Sequence, residues 1–173
     1  MTRQTQRPHQ YSMWPFAEES TPEGAGSVEE DEIIQQAIGI LEARCAPGET
    51  MRSPQAVARY LRLKLGDLMN ECFAVLYLNT RHELLAYKEH FYGTVDGASV
   101  YPRVVVQTAL QVNAAAVILA HNHPSGVAEP SEADRQITRR LIQALGLIDV
   151  SVLDHMVVSA RDVVSFAERG LLH

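Results

Sequence analysis

His121 and His123 stand two residues apart, and Asp134 follows eleven residues after the second of them. Imidazole nitrogens and a carboxylate oxygen form a donor set suited to zinc. On an extended segment, residues two apart project from the same face, so both imidazoles can reach one ion while Asn122 turns away. Pro124-Ser125-Gly126 breaks the extended segment, and the loop to Pro130 lets the first turn of the next helix return toward the strand end. Asp134 then arrives as a third ligand. Two nitrogens and one oxygen leave the fourth position of a tetrahedral zinc open, as catalytic sites do. Water held there has its pKa lowered to about 7, so the spacing points to hydrolysis.

Ser131-Glu132-Ala133-Asp134 is also an ordinary helix start, with Ser131 as N-cap and acidic side chains in the first turn. The two roles are compatible, since Ser131 can cap through its oxygen while Asp134 faces the ion. A carboxylate near the site would handle the proton of the attacking water. Glu71, at a junction between helix and strand, and Glu89, on the next strand, are the candidates, each with a merely solvated role as its alternative. Asp154-His155 either supports the site from behind or forms a structural pair, and the structural pair is the expectation.

The elements that must position these residues follow from periodicity. Ser53-Pro54 has the form of an N-cap with Pro at the first helical position, and Val57, Tyr60, Leu61 and Leu65 mark one helix face. Cys72–Leu78 is short and wholly apolar, as expected of a strand buried on both faces, and Glu83 to Tyr92 returns as its antiparallel neighbour. Pro102 opens a helix running to about Asn113. Ala114 to Ala120 is a second apolar run and predicts a central strand with the histidines at its end. A helix from Ser131 to about Leu145 follows, then one or two strand segments over Val150–Val158, and a short piece from Val163 to Leu171 against an edge. The whole predicts an α/β fold, a mixed central sheet flanked by helices. Ligands of such sheets collect beyond strand ends, where the histidines lie.

The chain has 173 residues, 46% of them hydrophobic, enough for one ordinary core. Residues 1–27, rich in Gln, Ser, Thr, Pro, Gly and Glu, read as a disordered tail. Residues 28–49 read as an amphipathic helical extension with Ile33, Ile34, Ala37, Ile38 and Leu41 on one face, packing onto the main domain or onto a second copy in a homodimer. Residues 50–173 form the main domain. No apolar run is long enough to span a membrane and no signal-peptide core follows Arg3 and Arg7. Cys45 and Cys72 make no Cys-x-x-Cys pair. A cytoplasmic protein is expected. The formal net charge is −6, and its excess lies wholly in residues 1–49, with three basic and nine acidic side chains; residues 50–173 hold twelve of each. A near-neutral main domain argues against a dedicated nucleic-acid binder.

The spacing His-x-His-x7-Ser-x2-Asp matches the JAMM motif of JAB/MPN metalloproteases. The surroundings resemble the bacterial RadC-like branch of that superfamily. The resemblance is carried by Glu71–Asn79, Gly93-Thr94, Tyr101-Pro102-Arg103, Ala116–Gly126, Pro130-Ser131, Leu153-Asp154-His155 and Ser165–Glu168, and covers roughly residues 54 to 170. It implies a three-layer sandwich like that of cytidine deaminases, zinc held by His121, His123 and Asp134, Glu71 as general acid/base, and Ser131 polarising the substrate carbonyl. It also implies cleavage of peptide or isopeptide bonds in a peptide or protein substrate. Full-length RadC-like proteins carry an N-terminal region of helix-hairpin-helix character; here a tail and one acidic helix precede the domain, which resembles the short single-domain form. The alternative function is a DNA repair-associated module that binds DNA or a partner and holds its metal structurally. A nuclease is disfavoured because His-Asn-His is contiguous, and a zinc deaminase because its His-x-Glu and Pro-Cys-x-x-Cys pieces are missing.

Overall fold

A computed structural model describes residues 28–44, 53–93 and 100–172. The predicted tail, and the end of the first helix near Pro47-Gly48, lie outside the described residues. In chain order the elements are α1 (Val28–Arg44), α2 (Pro54–Leu65), β1 (Cys72–Leu78), β2 (Leu84–Tyr92), α3 (Pro102–Gln111), β3 (Ala116–Asn122), α4 (Glu132–Gly146), β4 (Ser151–Val158) and β5 (Val163–Ser165). The strands form a five-stranded sheet in the order β2-β1-β3-β4-β5. Strand β1 is antiparallel to both β2 and β3, β3 and β4 are parallel, and β5 returns antiparallel to β4.

The helices cover both faces, so the architecture is the expected α/β sandwich. Alternation along the strands divides the core in two. Cys72, Ala74, Leu76 and Leu78 of β1 pack with Ala116, Ile118 and Ala120 of β3 beneath the inward face of α2, Val57, Tyr60, Leu61 and Leu65. Phe73, Val75 and Tyr77 pack with Val117 and Leu119 beneath Val105 and Ala109 of α3 and Leu141 and Leu145 of α4. Every residue of β1 and β3 is buried, which is why both runs lack the alternation of a half-exposed strand. Each such aliphatic or aromatic side chain contributes roughly 1.5–3 kcal/mol when fully buried. The helices are therefore held mainly by packing on the sheet.

Three expectations are refined. Strand β3 runs on through His121 and Asn122, because His121 still pairs with Phe73 of β1 and with Val157 of β4. Strand β4 is one continuous strand, although its register with β3 shifts between Val117 and Ile118. On α1, Ile38 is buried and Ile34 and Ala37 are half-buried, whereas Ile33 is exposed. The helix rests against α2 along only part of the predicted face.

Candidate metal centre

Strand β3 delivers the two histidines. Residues of β3 facing α3 and α4 are Val117, Leu119 and, by the same alternation, His121, which is 1% exposed. His123 lies just past the strand, where its N–H donates to the Val158 carbonyl at 2.8 Å and keeps the backbone on the line of β3. Helix α4 delivers Asp134. Its start is a capping box: Asp134 N–H donates to Ser131 Oγ at 3.1 Å, and Ser131 N–H donates back to Asp134 Oδ2 at 2.7 Å. The Ser131 hydroxyl also donates to Oδ2, at 2.7 Å. Oδ2 thus closes the helix end while still facing His123, and Oδ1 is turned to His121.

The three side chains meet. His121 Nε2 lies 3.1 Å from Asp134 Oδ1, His123 Nε2 lies 3.6 Å from Asp134 Oδ2, and the two Nε2 atoms are 3.0 Å apart. Ligands about 2.0–2.1 Å from a tetrahedral ion sit roughly 3.3 Å from one another, so these separations have the size a shared ion demands. Among the described residues this trio is the group of His, Cys, Asp and Glu that could hold a metal ion.

Hydrogen bonding fixes which nitrogen of each ring carries a lone pair. Thr138, one turn beyond Asp134 on α4, donates its hydroxyl proton to the Asp134 carbonyl at 2.5 Å. With its proton committed, Thr138 Oγ1 accepts from His155 Nδ1 at 2.6 Å. His155 is fully buried, and burial above all holds its pKa well below the ordinary value, so the ring is neutral. A neutral ring protonated at Nδ1 has a bare Nε2, which accepts from His121 Nδ1 at 2.8 Å. The His121 Nε2 lone pair is then left facing Asp134. His123 is oriented by a different route: Nδ1 lies 2.9 Å from the Val127 carbonyl, an acceptor only, so in the neutral ring Nε2 is bare. Two lone pairs and a carboxylate converge, an arrangement that repels itself unless a cation or a proton lies between them.

Without an ion, a proton shared with the carboxylate fills the same place. Burial opposes ionisation of Asp134, yet hydrogen bonds from His121, His123 and Ser131 hold its carboxyl well below the usual carboxylate range. His123 is raised above its ordinary 6.5, first by its hydrogen bond to Asp134, against the lowering effect of burial, and further by the Val127 carbonyl and by the charges of Asp134 and Glu71.

Glu71 precedes β1 by one residue. Extending the β1·β3 register, in which Phe73 faces His121, sets Glu71 opposite His123 on the side of the sheet that carries the His-His-Asp cluster. Its backbone carbonyl accepts from Gly93 N–H at 2.7 Å. The rival, Glu89, is excluded from the site. An irregularity in β2 at His90 makes Glu89 the partner of Ala74, on the face toward α2, where its carboxylate accepts from Tyr87 Oη at 2.9 Å and from Tyr92 Oη. His90 itself turns to Tyr77, 2.7 Å from its Oη.

Asp154 and His155 are not a side-chain pair, contrary to expectation, because consecutive strand residues point to opposite faces. Asp154 is structural: it accepts from its neighbour's N–H, from Ala167 N–H at 3.0 Å and from Ser165 Oγ at 2.6 Å, tying the C-terminal turn to β4. His155 backs His121 instead. Aromatic rings enclose it, with Phe166 stacked at 4.7 Å and Phe73 edge-on at 5.6 Å, and Phe73 also lies parallel to His121 at 6.3 Å. The sequence reading missed Thr138 and underrated His155. The spacing of Thr138, four residues after Asp134 and so on the same helix face, was the signal available.

Fold and site together define an α/β sandwich domain carrying a His-His-Asp cluster at the end of a central strand. The chain belongs to the RadC-like JAB domain family, whose description matches residues 51–171. It is 53% identical over 139 residues to a UPF0758 protein of Marinobacter nauticus, covering 80% of this chain and 62% of that protein. It is 61% identical over 140 residues to one of Tolumonas auensis, covering 81% and 62%. A Vibrio cholerae UPF0758 protein is 56% identical over 143 residues, covering 83% of this chain and 90% of its own length. The chain thus spans less than two thirds of the length of the Marinobacter and Tolumonas relatives. Among the described residues no helix is long and apolar enough to cross a membrane.

Proposed function

We propose that this domain is a zinc-dependent hydrolase of amide bonds, with a peptide or protein as substrate and a peptide or isopeptide bond as the bond cut. The observation that carries this reading is the convergence of two imidazole nitrogens and a carboxylate within 3.0–3.6 Å. His121, His123 and Asp134 would hold the ion, and an N2O donor set suits zinc. When bound, zinc supplies Lewis acidity, which lowers the pKa of water to about 7 and polarises a carbonyl.

The chain's own groups supply the rest. Glu71, opposite His123, accepts the proton of the attacking water and passes it to the leaving amine. The Ser131 hydroxyl, at the mouth of α4, turns from Asp134 Oδ2 to donate to the carbonyl oxygen as negative charge develops there. Asp134 keeps the Ser131 N–H when that happens, so the helix cap survives the exchange. His155 and Thr138 hold His121 in the one tautomer that directs a lone pair inward.

Metal analysis of the purified protein and of Asp134→Ala, with peptide-bond hydrolysis followed before and after chelation, tests the proposal. Stoichiometric zinc that disappears in the variant, and turnover that stops on chelation and returns with zinc, are expected. Turnover unchanged by chelation would overturn it.

A further inference from the structure

Asn122 lies between the two histidines, yet its side chain has no part in the cluster. It points to the opposite face of the sheet, toward α2, and is 1% exposed. Its carboxamide is fully engaged with one short segment of chain, Leu68 to Cys72. The oxygen accepts from Cys72 N–H at 2.7 Å, and the two amide hydrogens are donated to the Asn70 carbonyl at 3.1 Å and the Leu68 carbonyl at 3.2 Å. One acceptor and two donors meet one donor and two acceptors, a pattern that neither Asp nor Leu of similar size can reproduce.

The segment gripped in this way contains Glu71. The irregular stretch between α2 and β1 has few other ties: Leu68 N–H donates to the Leu65 carbonyl at 3.3 Å, and Gly93 N–H donates to the Glu71 carbonyl at 2.7 Å. We infer that Asn122 is the positioning residue for Glu71, clamping the Leu68–Cys72 turn to the end of β3 so that the glutamate stands across from His123. A single residue of β3 thereby sets the distance between the ligands on one face and the proton-handling carboxylate that approaches them from β1. The catalytic part of this inference rests on the role proposed for Glu71; the clamp itself does not.

Asn122→Asp and Asn122→Ala, each zinc-loaded, test it through amide hydrogen exchange of the full chain. Asn122→Asp retains an acceptor for Cys72 N–H and removes both donors, so it remains informative if the alanine variant fails to fold. Exchange in residues 68–72 is expected to accelerate roughly tenfold or more, as loss of buried hydrogen bonds predicts, while Val75, Leu76 and Leu119 keep their protection and zinc stays stoichiometric. Unchanged exchange in 68–72 would overturn the inference. Hydrolysis gives the second arm. Asn122→Asp lowers kcat with little change in KM and adds no further loss in a Glu71→Gln background, whereas independent, multiplicative losses would overturn the coupling. If Glu71→Gln alone keeps full turnover, the proposed role of Glu71 has failed, and the exchange data still decide the clamp.

Discussion

His121 Nδ1 and His155 Nε2 lie 2.8 Å apart in a fully buried setting, and this contact decides the direction in which His121 presents its lone pair. Replacing His155 with Leu keeps a side chain of comparable size between Phe73 and Phe166 but removes the acceptor. His121 Nδ1–H is then unpaired and the inward lone pair is no longer enforced. Zinc affinity is expected to fall roughly 10–100-fold, the usual cost of losing such a supporting partner. Competition with a chromophoric chelator measures it, and an affinity equal to that of the parent chain would refute the orienting role.

Asp134 has two jobs and Ser131 shares only one of them. Ser131→Ala removes the cap and is expected to cost about 0.5–2 kcal/mol of stability with zinc still bound. Asp134→Ala loses the reciprocal half of the capping box and a ligand together. Chemical denaturation with and without chelator separates the two, because the difference between parent and Ser131→Ala persists in chelator while the extra loss in Asp134→Ala shrinks there. Equal sensitivity of all three proteins to chelator would speak against Asp134 as a ligand.

Metal-free protein should show an unusual pH profile. His123 is raised above 6.5 by Asp134, so its contribution to stability is fully present below the unfolded value and is lost as pH rises through the folded one. Asp134 is depressed, so its contribution is present above about pH 4 and is lost as pH falls through its folded value. Chelated protein should therefore lose thermal stability as pH rises from about 6.5 through the folded value of His123. Zinc-loaded protein should gain it over the same interval, because the ion binds neutral His123 and competes with its proton. Melting curves in matched buffers measure both; parallel profiles would contradict the His123–Asp134 pairing.

Glu71→Gln separates binding from chemistry. The glutamine keeps the size of the side chain and removes its basicity, so zinc content should be unchanged while turnover falls by roughly 10²–10⁴-fold, the range of a lost general acid/base. Loss of zinc in this variant would instead place Glu71 among the ligands.

Much of the fold was legible because the signals were local. Cys72–Leu78 and Ala116–Ala120 are apolar without alternation, which only burial on both faces explains, and Ser53-Pro54 and Ser131 mark helix starts through chemistry internal to one turn. The His-His-Asp trio was legible for a related reason: His121 and His123 share a strand face, and Asp134 falls in the first turn of the element that follows.

What the sequence by itself determined was therefore the elements, the two-sided burial of β1 and β3, and the set of residues able to hold an ion. Tertiary structure alone took Glu89 away from the cluster, since the irregularity at His90 sets the register that turns it toward α2. It also decided the fate of Asp154 and His155, which point to opposite faces of β4, and it gave Asn122 a partner fifty residues away in Cys72. The physical reason is common to all three. A side chain's role depends on which polar atoms of distant segments remain unpaired after the sheet has assembled, and strand register, a property of two segments together, determines which those are.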